Sequence, residues 1–185
     1  LASPGRVAEY GKVNVIGERI NPTGKKRLQQ ALLEEDMGYI KKLAIAQQEA
    51  GAQVLDINVG AQGVDEAAII PQVVKAVQSV VDLPLQIDSA NPTVIEAALR
   101  VTNGRAIINS VSGERARMDA IFPLAKDYGA AVLGLAMDES GLPETAAQRV
   151  AIAERIVAEA ETYGLDREDI VIDCLTLTIS AQQEQ

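Results

Sequence analysis

Short apolar runs of strand length alternate along this chain with longer segments of helical periodicity. The runs are almost continuously apolar rather than alternating, which is typical of parallel strands covered on both faces. They predict strands at 13–17, 53–59, 84–88, 106–110, 131–137 and 170–175. Helices are predicted between them, at about 35–50, 65–81, 92–102, 114–128 and 144–163. This repeated strand–helix unit predicts an α/β fold with a parallel sheet.

Polar residues at the predicted strand ends distinguish between two arrangements of such a sheet. The carboxyl ends carry them and the amino ends do not. These residues are Glu18, Arg19, Asn21, Asp56, Asn58, Asp88, Ser89, Asn109, Ser110, Asp138 and Asp173. A (β/α)8 barrel draws its active site from many strand ends, whereas a doubly wound sheet binds ligands only where the strand order reverses. The pattern therefore favours the barrel over the doubly wound alternative.

The length of the chain sets how much of a barrel it can form. A complete barrel has eight strands and about 250 residues, and these 185 residues hold only six predicted strands. We therefore expect a barrel truncated to about six βα units. Residues 13–185 would form the barrel domain without its C-terminal part. Residues 1–12, which contain Pro and Gly, would be the end of a linker.

Composition excludes several classes of chemistry and of partner. The chain has no histidine and a single cysteine, Cys174, which excludes Ser-His-Asp and Cys-His catalysis and metal sites built on His or on several Cys. A net charge of -9 argues against nucleic acid and anionic lipid as partners. No apolar run reaches the ~20 residues of a membrane span. Cys174 is expected in the core, and a lone cysteine fits a reducing, cytoplasmic setting.

Asp88 ends an apolar strand within the stretch Leu83–Val94. An ionised carboxylate in that position is costly unless it has a partner. Asp88 could cap the helix that begins near Pro92, but Asn91 directly precedes that proline and is better placed to do so. Asp88 therefore remains available for a ligand.

Two further strand ends are expected to meet Asp88 across the mouth of the barrel. Asp88, Asn109 and Asp173, which we call the clamp, end the third, fourth and sixth strands. Two carboxylates and an amide suit a ligand rich in N–H donors, such as a pterin or a guanine. Asp56 and Asn58 lie on one side of the second strand, where they could contact the ligand or bond the loop backbone.

The segment Gly17–Lys26, GERINPTGKK, has the wrong glycine spacing for a phosphate-binding P-loop. Glu18 and Asn21, taken to lie at the end of the first strand, are its candidate site residues. The run 25–27 could simply be a surface turn.

Asp138 begins a turn-rich loop and is expected to cap that turn rather than bind a ligand.

Five motifs, in order along the chain, resemble those of the pterin-binding enzyme family. They are GERINPTGKK, LDINVG, LPLQIDSANPTVIEAAL, AIINSVSGE and IVIDCLTLTISAQQEQ. Within the family they are most similar to the folate-binding domain of cobalamin-dependent methionine synthase and to the methyltetrahydrofolate:corrinoid methyltransferases. The resemblance begins at about Val13 and continues to the end of the sequence.

The resemblance implies a barrel that binds 5-methyltetrahydrofolate and transfers its N5 methyl group to a Co(I) corrinoid in methionine synthesis. The three clamp residues match those that hold the pterin in the family, and Asp88 and Asn109 are also the candidate catalytic residues. Four more candidates for the same pocket are Glu18, Asn21, Asp56 and Asn58. A family asparagine after the seventh strand falls beyond the end of this sequence.

The same resemblance implies partners and leaves alternatives. Cobalamin would be held by a separate corrinoid-binding domain or protein, a homocysteine-binding domain would lie upstream, and the assembly could be a homodimer. No metal site is expected in the chain itself. The alternatives are an enzyme like dihydropteroate synthase or a pterin-binding module that is inactive as truncated. An aldolase-type barrel is weakly supported because no predicted strand ends in lysine.

Overall fold

The computed structural model describes residues 1–9, 11 and 13–176. Its centre is a sheet of six parallel strands that lie side by side in the order in which the chain forms them. The strands are β1 (Ile16–Ile20), β2 (Val54–Ile57), β3 (Leu85–Asp88), β4 (Ile107–Ser112), β5 (Ala131–Leu135) and β6 (Ile170–Asp173). A strand order that never reverses has no switch point, so the doubly wound alternative is wrong.

Six α-helices cover one side of this sheet. They are α1 (Lys26–Leu33), α2 (Met37–Glu49), α3 (Glu66–Gln78), α4 (Pro92–Leu99), α5 (Arg115–Tyr128) and α6 (Ala146–Thr162). Each helix contacts the next along the chain, as right-handed crossovers between sequential parallel strands require. Within the described residues the arrangement is that of five consecutive βα units of a barrel followed by a sixth strand, which agrees with the expected truncated barrel.

The core lies between the helices and the outward face of the strands. Ile57, Ile87, Ile108 and Val132 occupy equivalent positions on β2 to β5 and have no exposed surface. The alternate positions face the other side of the sheet. There Asp56 pairs in register with Gln86, and farther along the strands Asp88 pairs with Asn109, which brings polar side chains together on the face opposite the helices.

Local signals account for where most of the helices begin and end. Asn91 caps α4 by accepting a hydrogen bond from the backbone N–H of Thr93, and Pro92 is the first helical residue. The predicted role of Asn91 is thus confirmed. Helix α5 ends at Gly129, whose φ of 63° lies in the left-handed region that favours glycine.

The first strand and the segment after it differ from the sequence-based expectation. The strand was expected at 13–17 but lies at Ile16–Ile20, and a helix, α1, begins at Lys26 where a surface turn was considered. Val13 and Val15 are 91% and 55% exposed. Because β1 carries the charged residues Glu18 and Arg19 at its centre, apolar residues are a poor guide to its position.

Residues 1–9 pack against the amino-terminal end of the sheet. Ala2 forms antiparallel bridges with Val7 and with Arg105, just before β4. The backbone N–H of Gly5 donates to Asp82 at 3.2 Å, just before β3. Whether residues 1–12 also end a linker in a longer protein stays a prediction.

Candidate functional site

Three neighbouring strand ends bring Asn58, Asp88 and Asn109 side by side. Asp88 and Asn109 are paired in register across β3 and β4. Asn58 directly follows β2 and donates its Nδ2 to Asp88 Oδ2 at 2.9 Å. The Oδ1 of Asn58 accepts from the backbone N–H of Gly60 at 2.8 Å. Of the two roles considered for Asn58, the structure shows the bond to the loop backbone, while contact with a ligand stays a prediction. In addition, Asn58 orients the Asp88 carboxylate.

A cavity of about 340 Å³ opens beside these residues. Its lining includes Asp88 and Asn109, the serines that follow each of them, Arg117 from α5, and the apolar Leu135 and Met137 from β5 and beyond. Asp88 and Asn109 are half-buried. Within the described residues, hydrogen bonds occupy only one of the two Asp88 carboxylate oxygens. The other oxygen can accept N–H donors from a ligand in the cavity.

Asp56 lies one layer deeper than this pair and is 1% exposed. Its Oδ1 accepts from Gln86 Nε2 at 2.6 Å, while its Oδ2 and Gln86 Oε1 are both buried without a partner among the described residues. Burial raises the pKa of Asp56 to about 7, and the nearby Asp88 and Glu18 reinforce the increase against the hydrogen bond from Gln86. Near neutral pH this carboxyl group therefore exchanges a proton beneath the candidate site.

Glu18 and Asn21 flank the site on the β1 side. The prediction that Glu18 lies at the strand end is wrong: Glu18 is in the middle of β1 and exposed. Asn21 directly follows the strand, donates to Glu18 Oε1 at 3.4 Å and accepts from the backbone of Thr23. The Nζ of Lys25 donates hydrogen bonds to the carbonyls of Glu18 and Asn21 at 3.1 and 3.0 Å. Lys25 therefore stabilises the end of β1 and is not a free side chain in a surface turn.

Asp173 ends β6, two strands away from Asn109. It is half-buried and paired in register with Leu135 of β5. Its Oδ1 accepts from the backbone N–H of Leu175 at 2.7 Å. The clamp is thus one adjacent pair, Asp88 and Asn109, and a third member separated from it by β5.

Two other sequence-based expectations can be compared with the structure. Asp138 accepts from the backbone N–H of Ser140 at 2.9 Å and forms an ion pair with Arg155 at 3.0 Å, so its predicted turn-capping role is confirmed. Cys174, expected in the core, is exposed, because it lies just beyond the end of β6.

Sequence reasoning missed two residues next to the site, Gln86 and Arg117. Gln86 is two positions before Asp88, so strand periodicity could have placed it on the same face. Arg117 is the third residue of α5 and reaches the backbone at the ends of β3 and β4. No local sequence pattern indicates that contact.

The described part of the chain has neither a cluster of metal ligands nor a membrane-spanning helix. No group of three or more Asp, Glu or Cys side chains there could hold a metal ion. None of the helices at 26–162 is both long and apolar enough to cross a membrane.

Comparison with protein families and curated proteins identifies relatives of this chain. A family model described as pterin binding enzyme matches residues 17–185. A methionine synthase of Mycobacterium tuberculosis is 35% identical over 184 residues, which cover 96% of this chain and 15% of that protein. A methylcorrinoid:tetrahydrofolate methyltransferase of Eubacterium limosum is 32% identical over 173 residues, which cover 91% of this chain and 62% of that protein.

Solved structures with the same fold include dihydropteroate synthases. The enzyme from Vibrio fischeri superposes with a TM-score of 0.66 at 18% identity, covering 94% of this chain and 65% of that one. The enzyme from Xanthomonas albilineans, in complex with 7,8-dihydropteroate, superposes with a TM-score of 0.64 at 22% identity, covering 91% of this chain and 63% of that one. At these identities the likeness establishes the fold.

Proposed function

The chain belongs to the pterin-binding enzyme family, and on that premise we propose that it binds 5-methyltetrahydrofolate and transfers the N5 methyl group to a Co(I) corrinoid. The observation that supports the pterin site most directly is the adjacent pair Asp88 and Asn109 at the edge of a cavity, with Asn58 fixing one oxygen of Asp88. The names of the curated relatives support methyl transfer.

The proposed site recognises a pterin through its N–H donors. The second oxygen of Asp88 accepts from the ring or its amino group, and Asn109 supplies both a donor and an acceptor. Asp173 completes the clamp from β6. Because Asn58 already holds one Asp88 oxygen at 2.9 Å, little side-chain freedom is lost when the ligand binds.

The chemistry requires a proton at the pterin. As the methyl carbon bonds to cobalt, its bond to N5 breaks and leaves the electron pair on nitrogen. A nitrogen anion is a poor leaving group, so N5 takes up a proton, which we propose arrives through a water network. General acid assistance of this kind contributes about 10²–10⁴-fold to a rate. Asp88, Asn109 and Asp173 position the pterin for this step, and positioning supplies much of the remaining acceleration.

The lengths of the curated relatives support further domains or partner proteins beside this chain. This chain covers 15% of the methionine synthases and 62% of the methyltransferase that it matches. We propose that a corrinoid-binding domain or protein presents cobalamin to the cavity. In a methionine synthase parent, homocysteine held by a further domain would receive the methyl group last. A homodimer is a further proposal for the assembly.

The second candidate function is that of a dihydropteroate synthase, because solved structures of this fold carry that name. Their identity to this chain is 18–22%, while the curated methyl-transfer proteins reach 32–35%. The higher identity favours methyl transfer. The two functions share a pterin pocket and differ in the second substrate.

Incubating the full natural chain with 5-methyltetrahydrofolate and Co(I) cobalamin tests the proposal. Methyl transfer is followed by loss of the Co(I) absorbance, and 7,8-dihydropteroate formation is assayed in parallel. We expect methyl transfer in the wild type, its loss in Asp88→Ala and Asn109→Ala, and its retention in the control Asp119→Ala, which removes an exposed carboxylate of α5. Dihydropteroate formation without methyl transfer would establish the second function instead.

A further inference from the structure

Arg117 binds the backbone at two strand ends at once. From the third position of α5 its Nε donates to the carbonyl of Ser110 at 2.8 Å. Its Nη1 donates to the carbonyl of Ala90 at 2.6 Å, and its Nη2 to the carbonyl of Ser89 at 3.0 Å. The guanidinium is planar and its donors have fixed directions, so these contacts set the relative positions of the two strand ends.

The carbonyls that Arg117 holds are next to the clamp pair. Ser89 directly follows Asp88, and Ser110 directly follows Asn109. The backbone N–H of Ser89 also donates to the carbonyl of Asn109 at 3.1 Å. Arg117 therefore restrains the peptide groups from which the Asp88 and Asn109 side chains project.

The position of Arg117 is an unfavourable environment for a positive charge. It is half-buried, and burial lowers the pKa of its guanidinium. It also lies in the first turn of α5, where the helix dipole disfavours positive charge. Among the described residues its hydrogen bonds go to the backbone carbonyls of Ser89, Ala90 and Ser110. The nearby Glu114 carboxylate also favours the charge. The carbonyls contribute only in this geometry, so the side chain and the strand ends hold each other in place.

We propose that Arg117 is a positioning residue that holds the ends of β3 and β4 so that Asp88 and Asn109 face the ligand together. The inference rests on the proposed pterin function, since it concerns the same cavity. Arg117 acts through the backbone of its neighbours and needs no contact with the reacting atoms.

Three variants of the full natural chain test this proposal. Arg117→Ala removes the three contacts, Arg117→Lys keeps the charge but not the planar fork, and Arg115→Ala is the control on the same helix. Arg115 forms exposed ion pairs with Asp119 and Glu159. Each variant is measured by hydrogen exchange of peptides spanning 88–91 and 109–112, and by titration with 5-methyltetrahydrofolate.

We expect Arg117→Ala to speed exchange in both peptides and to weaken folate binding on the order of tenfold. Arg117→Lys should be intermediate and Arg115→Ala like the wild type. Millimolar guanidinium should restore part of the binding lost in Arg117→Ala, which a general loss of stability would not allow. If Arg117→Ala does not fold, Arg117→Lys decides the question. Hydrogen exchange and folate affinity that are both unchanged in Arg117→Lys would overturn the proposal.

The outcomes separate this inference from the proposed function. If the wild type binds no folate, the proposed function fails and the inference fails with it. If the wild type binds folate and Asp88→Ala does not, while Arg117→Ala binds as tightly as the wild type, the inference alone is wrong. Faster exchange at 88–91 and 109–112 without weaker binding also overturns it.

Discussion

Asn58 and Asp88 are joined by a hydrogen bond from Nδ2 to Oδ2 of 2.9 Å across the ends of β2 and β3. Thirty positions separate these two residues along the chain. The bond orients one carboxylate oxygen of Asp88 and leaves the second beside the cavity.

Asp88→Ala is expected to weaken 5-methyltetrahydrofolate binding by about 10- to 100-fold, because charge-assisted hydrogen bonds contribute about 1.5–3 kcal/mol. Asn58→Ala should weaken it less, since Asp88 remains but is no longer oriented. Calorimetric titration of the two single variants and of the double variant measures the coupling. If Asn58→Ala reduces the binding free energy by the same amount whether or not Asp88 is present, the two effects are additive and the orienting role is wrong.

Stability should fall as the pH rises from about 4 to 7 because of Asp56. The pKa of its carboxyl rises on folding from 3.8 to about 7, so in this window the folded chain holds a proton that the unfolded chain releases. The loss in free energy of unfolding is absent below the pKa that Asp56 has in the unfolded chain. It is complete above the pKa that Asp56 has in the folded chain, with an upper bound of about 4 kcal/mol. Urea denaturation at a series of pH values measures it.

Asp56→Asn provides the comparison for this pH dependence. The amide cannot ionise, so the variant should lose stability less steeply over the same pH window than the wild type. Asn91→Ala is the control, since it removes the cap of α4 without removing an ionisable group and should leave the slope unchanged. Parallel stability curves for the wild type and Asp56→Asn would show that Asp56 is not the source.

Asn91→Ala is expected to destabilise the chain by about 1 kcal/mol through loss of the α4 cap. Because Asp88 does not serve as the cap, Asp88→Ala should not affect α4 in this way. Urea denaturation gives the stability, and folate titration should show less than about a twofold change for Asn91→Ala. A large loss of affinity in Asn91→Ala would instead place Asn91 in the binding site.

Gly104→Ala tests the packing of the N-terminal residues. Gly104 has a φ of 110°, and an added Cβ would lie 2.2 Å from the carbonyl oxygen of Ala2. The substitution should cost about 2–3 kcal/mol and speed hydrogen exchange in residues 1–9. Gly129→Ala is the control: its φ of 63° is also positive, but nothing lies within 4 Å of the new Cβ, so about 1 kcal/mol is expected. Equal costs would show that Ala2 is not held against Gly104.

Strands that are buried on both faces could be located from sequence. β2 to β5 lie within a few residues of their predicted positions, because a strand covered on both sides must be apolar along its length. β6 is only half-buried, but the apolar run Ile170–Ile172 located it as well. β1 did not follow this rule. The centre of β1 carries the charged residues Glu18 and Arg19, so the sequence of this strand lacks the signal of a buried strand.

The sequence by itself determined the parallel α/β order and the polar residues at each strand end, because strand periodicity and chain order require no knowledge of distant contacts. Only the tertiary structure decided which of those residues meet. The register between strands pairs Asn58 with Asp88 and Asp56 with Gln86, and helix packing brings Arg117 to the carbonyls beside them. These contacts join residues 7 to 30 positions apart, and their geometry depends on how the sheet and the helices pack together.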